Sequence, residues 1–172
     1  RDRLCLVQVC FGDDIAHLLQ LSKQPEEKPK NLIKLLQNKT ITKIFHYGRF
    51  DLAMLNKNVG PVVGPIYCTK IASKLSRTFG AKHGLKDLCK DLLNIELDKF
   101  NQTSDWGTKI LSKDQLAYAA QDVLFLHKLK NKLDEILLRE GKMNLALECF
   151  ESLKTRVKLD LEGFQELDIF AH

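Results

Sequence analysis

Tyr118-Ala119-Ala120-Gln121-Asp122 places a phenol and a carboxylate four residues apart. On a helix, which turns by roughly 100° per residue, the two side chains fall about 40° apart on one side. There they can overhang a cleft while the helix stays docked. A boundary Tyr beside a solvated Asp is the simpler reading of the same spacing. A second segment, His46-Tyr47-Gly48-Arg49-Phe50-Asp51, reads as a strand-to-helix junction. Gly48 permits the turn, and Asp51 falls in the first helical turn, at an edge where sites collect in open α/β sheets. The helix macrodipole alone would also favour a carboxylate there.

A third segment, Asn101 to Gly107, is a polar loop carrying Trp106, the only Trp of the chain. Such a ring can stack on a nucleobase; it can equally anchor the loop to a core. Lys70, Lys74 and Arg77 recur at i, i+4 and i+7, and Lys82, His83, Lys86 and Lys90 follow closely. A stripe with no acid before Asp87 can receive phosphates, although most charged stripes are simply solvated faces.

The elements that must position these groups alternate in type. Leu4 to Phe11 is a continuous apolar run, as in a strand buried on both faces. Gly12-Asp13-Asp14 supplies a turn, and Ile15 to Gln20 the return strand. Ser22 to Lys30 reads as a solvated loop. Leu32, Leu35 and Leu36 mark a short helix, Thr42 to Tyr47 a strand, and Leu52, Leu55 and Val59 a helix ending at Gly60-Pro61. Ile66-Tyr67-Cys68 is a last short strand, and the rest is helical in pattern. Leu85 to Ile95 form one helix, and a long one runs through Leu116, Val123, Leu126, Leu133 and Leu137. This order argues for an α/β fold in which helices cover a mixed sheet.

The chain has 172 residues, 44% apolar and 28% charged, which suits one domain over residues 1–172 and excludes wholesale disorder. Twenty-seven Lys and Arg against 22 Asp and Glu leave a charge of +5, which permits an anionic partner without requiring one. No stretch approaches the roughly 18 apolar residues of a membrane span. Five cysteines without a C-x-x-C pair point to a reducing cytoplasm.

Order and spacing together make the set specific. The chain resembles the DEDD superfamily of 3′–5′ exonucleases, in its tyrosine subgroup, and within it the ribonuclease D-like proteins. His46 to Asp51 is similar to the second exonuclease motif and Tyr118-x-x-x-Asp122 to the third. His83 to Cys89 is similar to the helix between them, and Ser104-Asp105-Trp106 to the loop before the last motif. Cys68 to Leu75 and the closing Asp168 to His172 are most similar to the short nano-RNase C type.

The resemblance implies a ribonuclease H-like mixed sheet flanked by helices, and hydrolysis assisted by two divalent ions, Mg²⁺ or Mn²⁺. It implies that Asp122 and Asp51 bind metal and that Tyr118 positions the attacking water. His46, Arg49, Lys70, Lys74, Arg77, His83, Ser104 and Trp106 are the candidate substrate contacts. Short RNA down to dinucleotides is the implied substrate, DNA 3′ ends remain open, and a homo-oligomer, as a ring, is the implied assembly. The family's first motif, Asp-x-Glu on a central first strand, is not found: Asp2 is followed two positions on by Leu4. Roughly thirty residues of the family pattern are missing before Arg1. The strands around Val7 and Phe45 should then face each other across a missing ladder, and the chain as written should be a weak or inactive nuclease. The alternative is a nuclease-fold module that binds nucleic acid or a partner without cutting it.

Overall fold

A computed structural model describes residues 3–21, 29–78, 82–97, 105–108 and 110–171. In chain order the elements are β1 (Leu6–Cys10), β2 (Ala16–Gln20), α1 (Lys30–Gln37), β3 (Lys43–Phe45), α2 (Gly48–Asn58) and β4 (Ile66–Cys68). Helices α3 (Thr69–Ser76), α4 (Leu85–Leu93), α5 (Lys113–Leu124), α6 (Leu126–Arg139) and α7 (Met143–Leu161) follow. The fold is the mixed α/β arrangement read from the sequence; the expected loop at 22–30 lies largely outside the described residues.

The strands form two separate pairs. β1 and β2 are antiparallel, with Leu6 opposite Gln20 and Cys10 opposite Ala16. β3 and β4 are parallel, with Lys43 opposite Ile66 and Phe45 opposite Cys68. Among the described residues no ladder joins β1 to β3. Backbone alternation shows which groups face the gap. The Leu21 N–H donates to Cys5 O at 2.8 Å, so Cys5, Val7 and Val9 turn their N–H and C=O groups to β2. Leu6 and Gln8 turn theirs the other way. The Lys43 N–H donates to Pro65 O at 3.0 Å, so Lys43 and Phe45 face β4 while Ile44 and His46 face the gap. Residues from Leu4 to Gln8 on one side and Ile44 to His46 on the other line a cleft of about 1190 Å³ between the two pairs.

That cleft corrects the expectation of a first strand buried on both faces: only Val7 of β1 is buried, and its neighbours are half-buried. The second pair is better covered. All three residues of β4 are buried, in a core built with Leu52 and Leu55 of α2, Leu133 and Leu137 of α6, and Phe150 and Val157 of α7. A smaller core joins Leu88 and Cys89 of α4 to Leu129 of α6.

The long helix expected from Leu116 to Leu137 is two helices. Phe125, with φ −102° and ψ −2°, breaks the run between α5 and α6 and packs against the smaller core. Packing of one aromatic ring thus overrides a periodicity that continues through it. The start of α5 follows from local chemistry. Ser112 and Gln115 form a reciprocal capping box, each side chain accepting from the other's backbone N–H.

A charged lock ties α2 to the end of the chain. Arg49 donates to both carboxylate oxygens of buried Asp160 at 2.6 and 2.8 Å. Arg156, one turn before Asp160 on α7, donates at 2.9 and 3.0 Å. The same two guanidiniums hold the carbonyls of Phe164, Gln165 and Leu167. Hydrogen bonds from Arg49, and then from Arg156, keep the Asp160 carboxyl below its ordinary range against the opposing pull of burial.

Two expectations follow. Amide exchange at Leu6, Gln8, Ile44 and His46 should run more than about tenfold faster than at Val7, Val9 and Phe45; equal protection would contradict the split sheet. Asp160→Ala strands two guanidiniums and should cost about 3 kcal/mol in urea unfolding, with Asp160→Asn in between; an unchanged midpoint for Asp160→Ala would rule out the lock.

Candidate active site

Both carboxylates singled out in the sequence reach the cleft between the two strand pairs. Asp51 comes from the first turn of α2 and Asp122 from the last turn of α5, and Tyr118 lines the same space one turn earlier on α5. Burial, followed by the negative charge of Asp122, pushes the Asp51 carboxyl up to about 7. Asp122 is open to the cleft yet surrounded by protein on its other sides, and desolvation raises it as well. Burial, and then Asp122, raise the Tyr118 phenol, which stays protonated at neutral pH. The charge of Asp122 therefore acts on both Asp51 and Tyr118.

Trp106 stands beside them, its ring 6.1 Å from that of Tyr118 and tilted by 34°. Trp106 is half-buried against that phenol. Asp105 lines the cleft next to it and was legible in the same loop motif. Ser104 lies outside the described residues.

His46 closes the end of β3. Burial, and then Lys70, push its imidazole down to about 4, so it is neutral at pH 7. The Thr69 hydroxyl donates to Phe45 O at 3.2 Å. That leaves its lone pair for the His46 Nδ1–H at 2.9 Å and fixes the tautomer. Arg49 also lines the cleft, but its guanidinium is engaged by Asp160 and Gln165 O. Asp160, Gln165 and Glu166 escaped the sequence reading because they reach the cleft from more than a hundred residues away, through the lock.

The basic stripe runs outward from this site along α3. Its members surround His83, whose imidazole is lowered by burial and by Arg77, Lys74 and Lys70 in turn. His83 Nδ1 lies 2.8 Å from Ser73 Oγ, which fastens the segment before α4 to α3. Arg77 is ion-paired with Asp91. Lys74 is exposed, and Lys70 sits over the ring of Tyr47.

A model of the 3′-5′ exonuclease family matches residues 1–138, four-fifths of the chain. The chain belongs to that family. Curated relatives named ribonuclease D match over most of its length. One from Acidiphilium cryptum is 32% identical over 145 residues, covering 84% of this chain and 36% of its own. One from Gluconacetobacter diazotrophicus is 32% identical over 141 residues, covering 82% and 35%. The chain thus spans about a third of the length of these relatives. Among solved structures, Brucella melitensis NrnC bound to pGG is 50% identical with a TM-score of 0.93, covering 99% of this chain and 82% of its own. Escherichia coli RNase D, an exoribonuclease involved in structured RNA processing, is 26% identical with a TM-score of 0.78, covering 91% and 42%. The ribonuclease D-like resemblance and the nuclease fold are both shown.

Carboxylate oxygens suit hard divalent ions, and Mg²⁺ is commonly held by one or two of them with several waters. Asp51 and Asp122, each carrying a charge the protein disfavours, fit one such hydrated ion. No group of three or more His, Cys, Asp or Glu among the described residues is placed to enclose a metal. One of the NrnC structures carries bound Mg²⁺.

The raised Asp51 pKa has a definite sign in stability. Between pH 4 and 7 the native state holds a proton that the unfolded state has released, so this group's contribution falls as pH rises. Asp51→Asn should match the wild type below pH 4 and exceed it by about 4 kcal/mol above pH 8 in EDTA. A pH-independent difference in unfolding midpoints would refute the burial of that charge.

Proposed function

We propose that this chain is a 3′–5′ exonuclease domain that shortens RNA oligonucleotides, down to dinucleotides, to nucleoside monophosphates. The observation that carries the reading is the placement of Asp51, Asp122 and Tyr118 in one cleft, electrostatically coupled, in a chain of this family. Asp122 and Asp51 would hold a hydrated divalent ion, Mg²⁺ or Mn²⁺, which would supply Lewis-acid activation of water and stabilisation of charge at the scissile phosphate.

The chain's own side chains do the remaining work. Tyr118, protonated and braced by Trp106, orients the attacking water at the scissile phosphate. Neutral His46, tied to Thr69, keeps the ends of β3 and β4 in register beside it. Lys70, Lys74 and the neighbourhood of His83 offer positive charge to the phosphates running out of the cleft, with Arg77 and Arg49 contributing from within their ion pairs.

With Asp51 and Asp122 as its donors among the described residues, the site would hold metal weakly. DNA 3′ ends carry the same phosphodiester and are an alternative substrate. We assign the protein to the cytoplasm, as one domain and as a homo-oligomer, a ring by kinship; no helix of the described residues is long and apolar enough to cross a membrane. A second reading, a module that binds nucleic acid without cutting, is favoured by the finding that no group of three or more metal-binding side chains comes together among the described residues.

The test is a Mn²⁺-dependent digest of a 5′-labelled seven-residue RNA. Stepwise loss from the 3′ end is expected, reduced more than about 100-fold in Asp122→Asn and in Tyr118→Phe. Wild-type rates in Asp122→Asn would sink the metal assignment. Tight RNA binding with no cleavage by the wild type would favour the second reading.

A further inference from the structure

Tyr47 is the residue whose conformation the local sequence does not account for. Three described residues other than glycine have positive φ: Asp14, Tyr47 and Asn94. Asp and Asn adopt the left-handed region readily, Asp14 in the β1–β2 turn and Asn94 at the C-cap of α4. A tyrosine at φ 64° and ψ 42° does so at a cost.

The surrounding packing enforces that backbone. Tyr47 caps α2, and its carbonyl accepts from the Phe50 N–H at 3.1 Å. The next residue, Gly48, lies so close to Phe45 that an added Cβ would come within 3.0 Å of the Phe45 Cβ. The chain must turn at Tyr47 to seat Gly48 there, and His46 is pinned to Thr69 on the other side. The side chain points outward in consequence: the ring of Tyr47 is 51% exposed although it borders the cleft that holds Asp51 and Asp122.

One face of that ring has a partner. Lys70 Nζ lies 4.1 Å from the ring centroid, within the range of a cation–π contact. Tyr47 follows β3 and Lys70 follows β4, so the pair stands at the carboxyl ends of two adjacent parallel strands, where open α/β sheets bind ligands. Among the described residues no aromatic ring stacks on Tyr47, and about half of the residue's surface stays exposed for a planar group to meet. A neighbouring fixed ammonium makes an anionic planar ligand the natural occupant, and a nucleotide is both planar and anionic.

Building on the exonuclease reading, we propose that Tyr47 and Lys70 form one substrate-binding unit, in which the phenol ring stacks on a nucleobase and the ammonium meets that nucleotide's phosphate. Every base has a π-face, so the unit grips RNA with little regard to sequence. The strained backbone is the means by which an aromatic ring is held out over the cleft instead of folding into the core.

RNA trinucleotides carrying 2-aminopurine at each position in turn test this in EDTA, where binding is read without hydrolysis. The wild type should quench the fluorophore at one position. Tyr47→Phe should keep both quenching and affinity. Tyr47→Gly removes the ring while suiting the left-handed backbone. It should leave the melting temperature equal or higher, abolish the quenching and weaken binding by about 5- to 150-fold. Lys70→Gln should flatten the salt dependence of log Kd by about 0.7. Tyr47→Gly binding within twofold of the wild type, with quenching intact, overturns the stacking role. No binding of any trinucleotide by the wild type removes the nucleic-acid reading and this inference with it.

Discussion

Like charges do not share a buried space unless the surrounding structure holds them there or a cation relieves them. Asp51 and Asp122 lie about seventy positions apart on different helices; burial makes both harder to ionise, and the charge of Asp122 adds to the effect on Asp51. Folding gains nothing from their approach. The arrangement persists because the helices that carry them are fixed by other contacts: α2 by its apolar face against α7 and by the Arg49–Asp160 pair, and α5 by its docking on β1 and β2. Strain concentrated at one place and supported from elsewhere is the usual mark of a functional site.

The two strand pairs are joined to each other through helices. α5 rests on the first pair, α6 runs beneath the second, and the break at Phe125 lets one polypeptide segment serve both. The C-terminal half of α5, before that break, carries Tyr118 and Asp122 to the cleft.

Basic residues near the cleft divide into two kinds by what they touch. Arg49 and Arg77 have carboxylate partners, Asp160 and Asp91, so much of their charge is neutralised locally. Lys70 rests on an aromatic ring and Lys74 is exposed, which leaves their charge available to a ligand. The sequence made all four candidate substrate contacts, and only the contacts separate them.

The elements themselves were legible because their signals are local. The β1–β2 turn at Gly12-Asp13-Asp14, the end of α2 at Gly60-Pro61 and the i, i+4 pairing of Tyr118 with Asp122 all follow from residue type and short-range sterics, and the ordered motifs identified the family. The bend at Phe125, the left-handed turn at Tyr47 and the reach of Asp160 and Glu166 into the cleft were not legible. Each depends on partners far away in sequence: an aromatic ring seated in the α4–α6 core, a glycine pressed on Phe45, and a guanidinium pairing across 111 positions. The sequence by itself determined which residues could do chemistry, since that rests on side-chain identity and local spacing. Tertiary structure alone decided which of them share a cleft and which charges are neutralised there, because burial and electrostatic coupling depend on distances that exist only after the chain has packed.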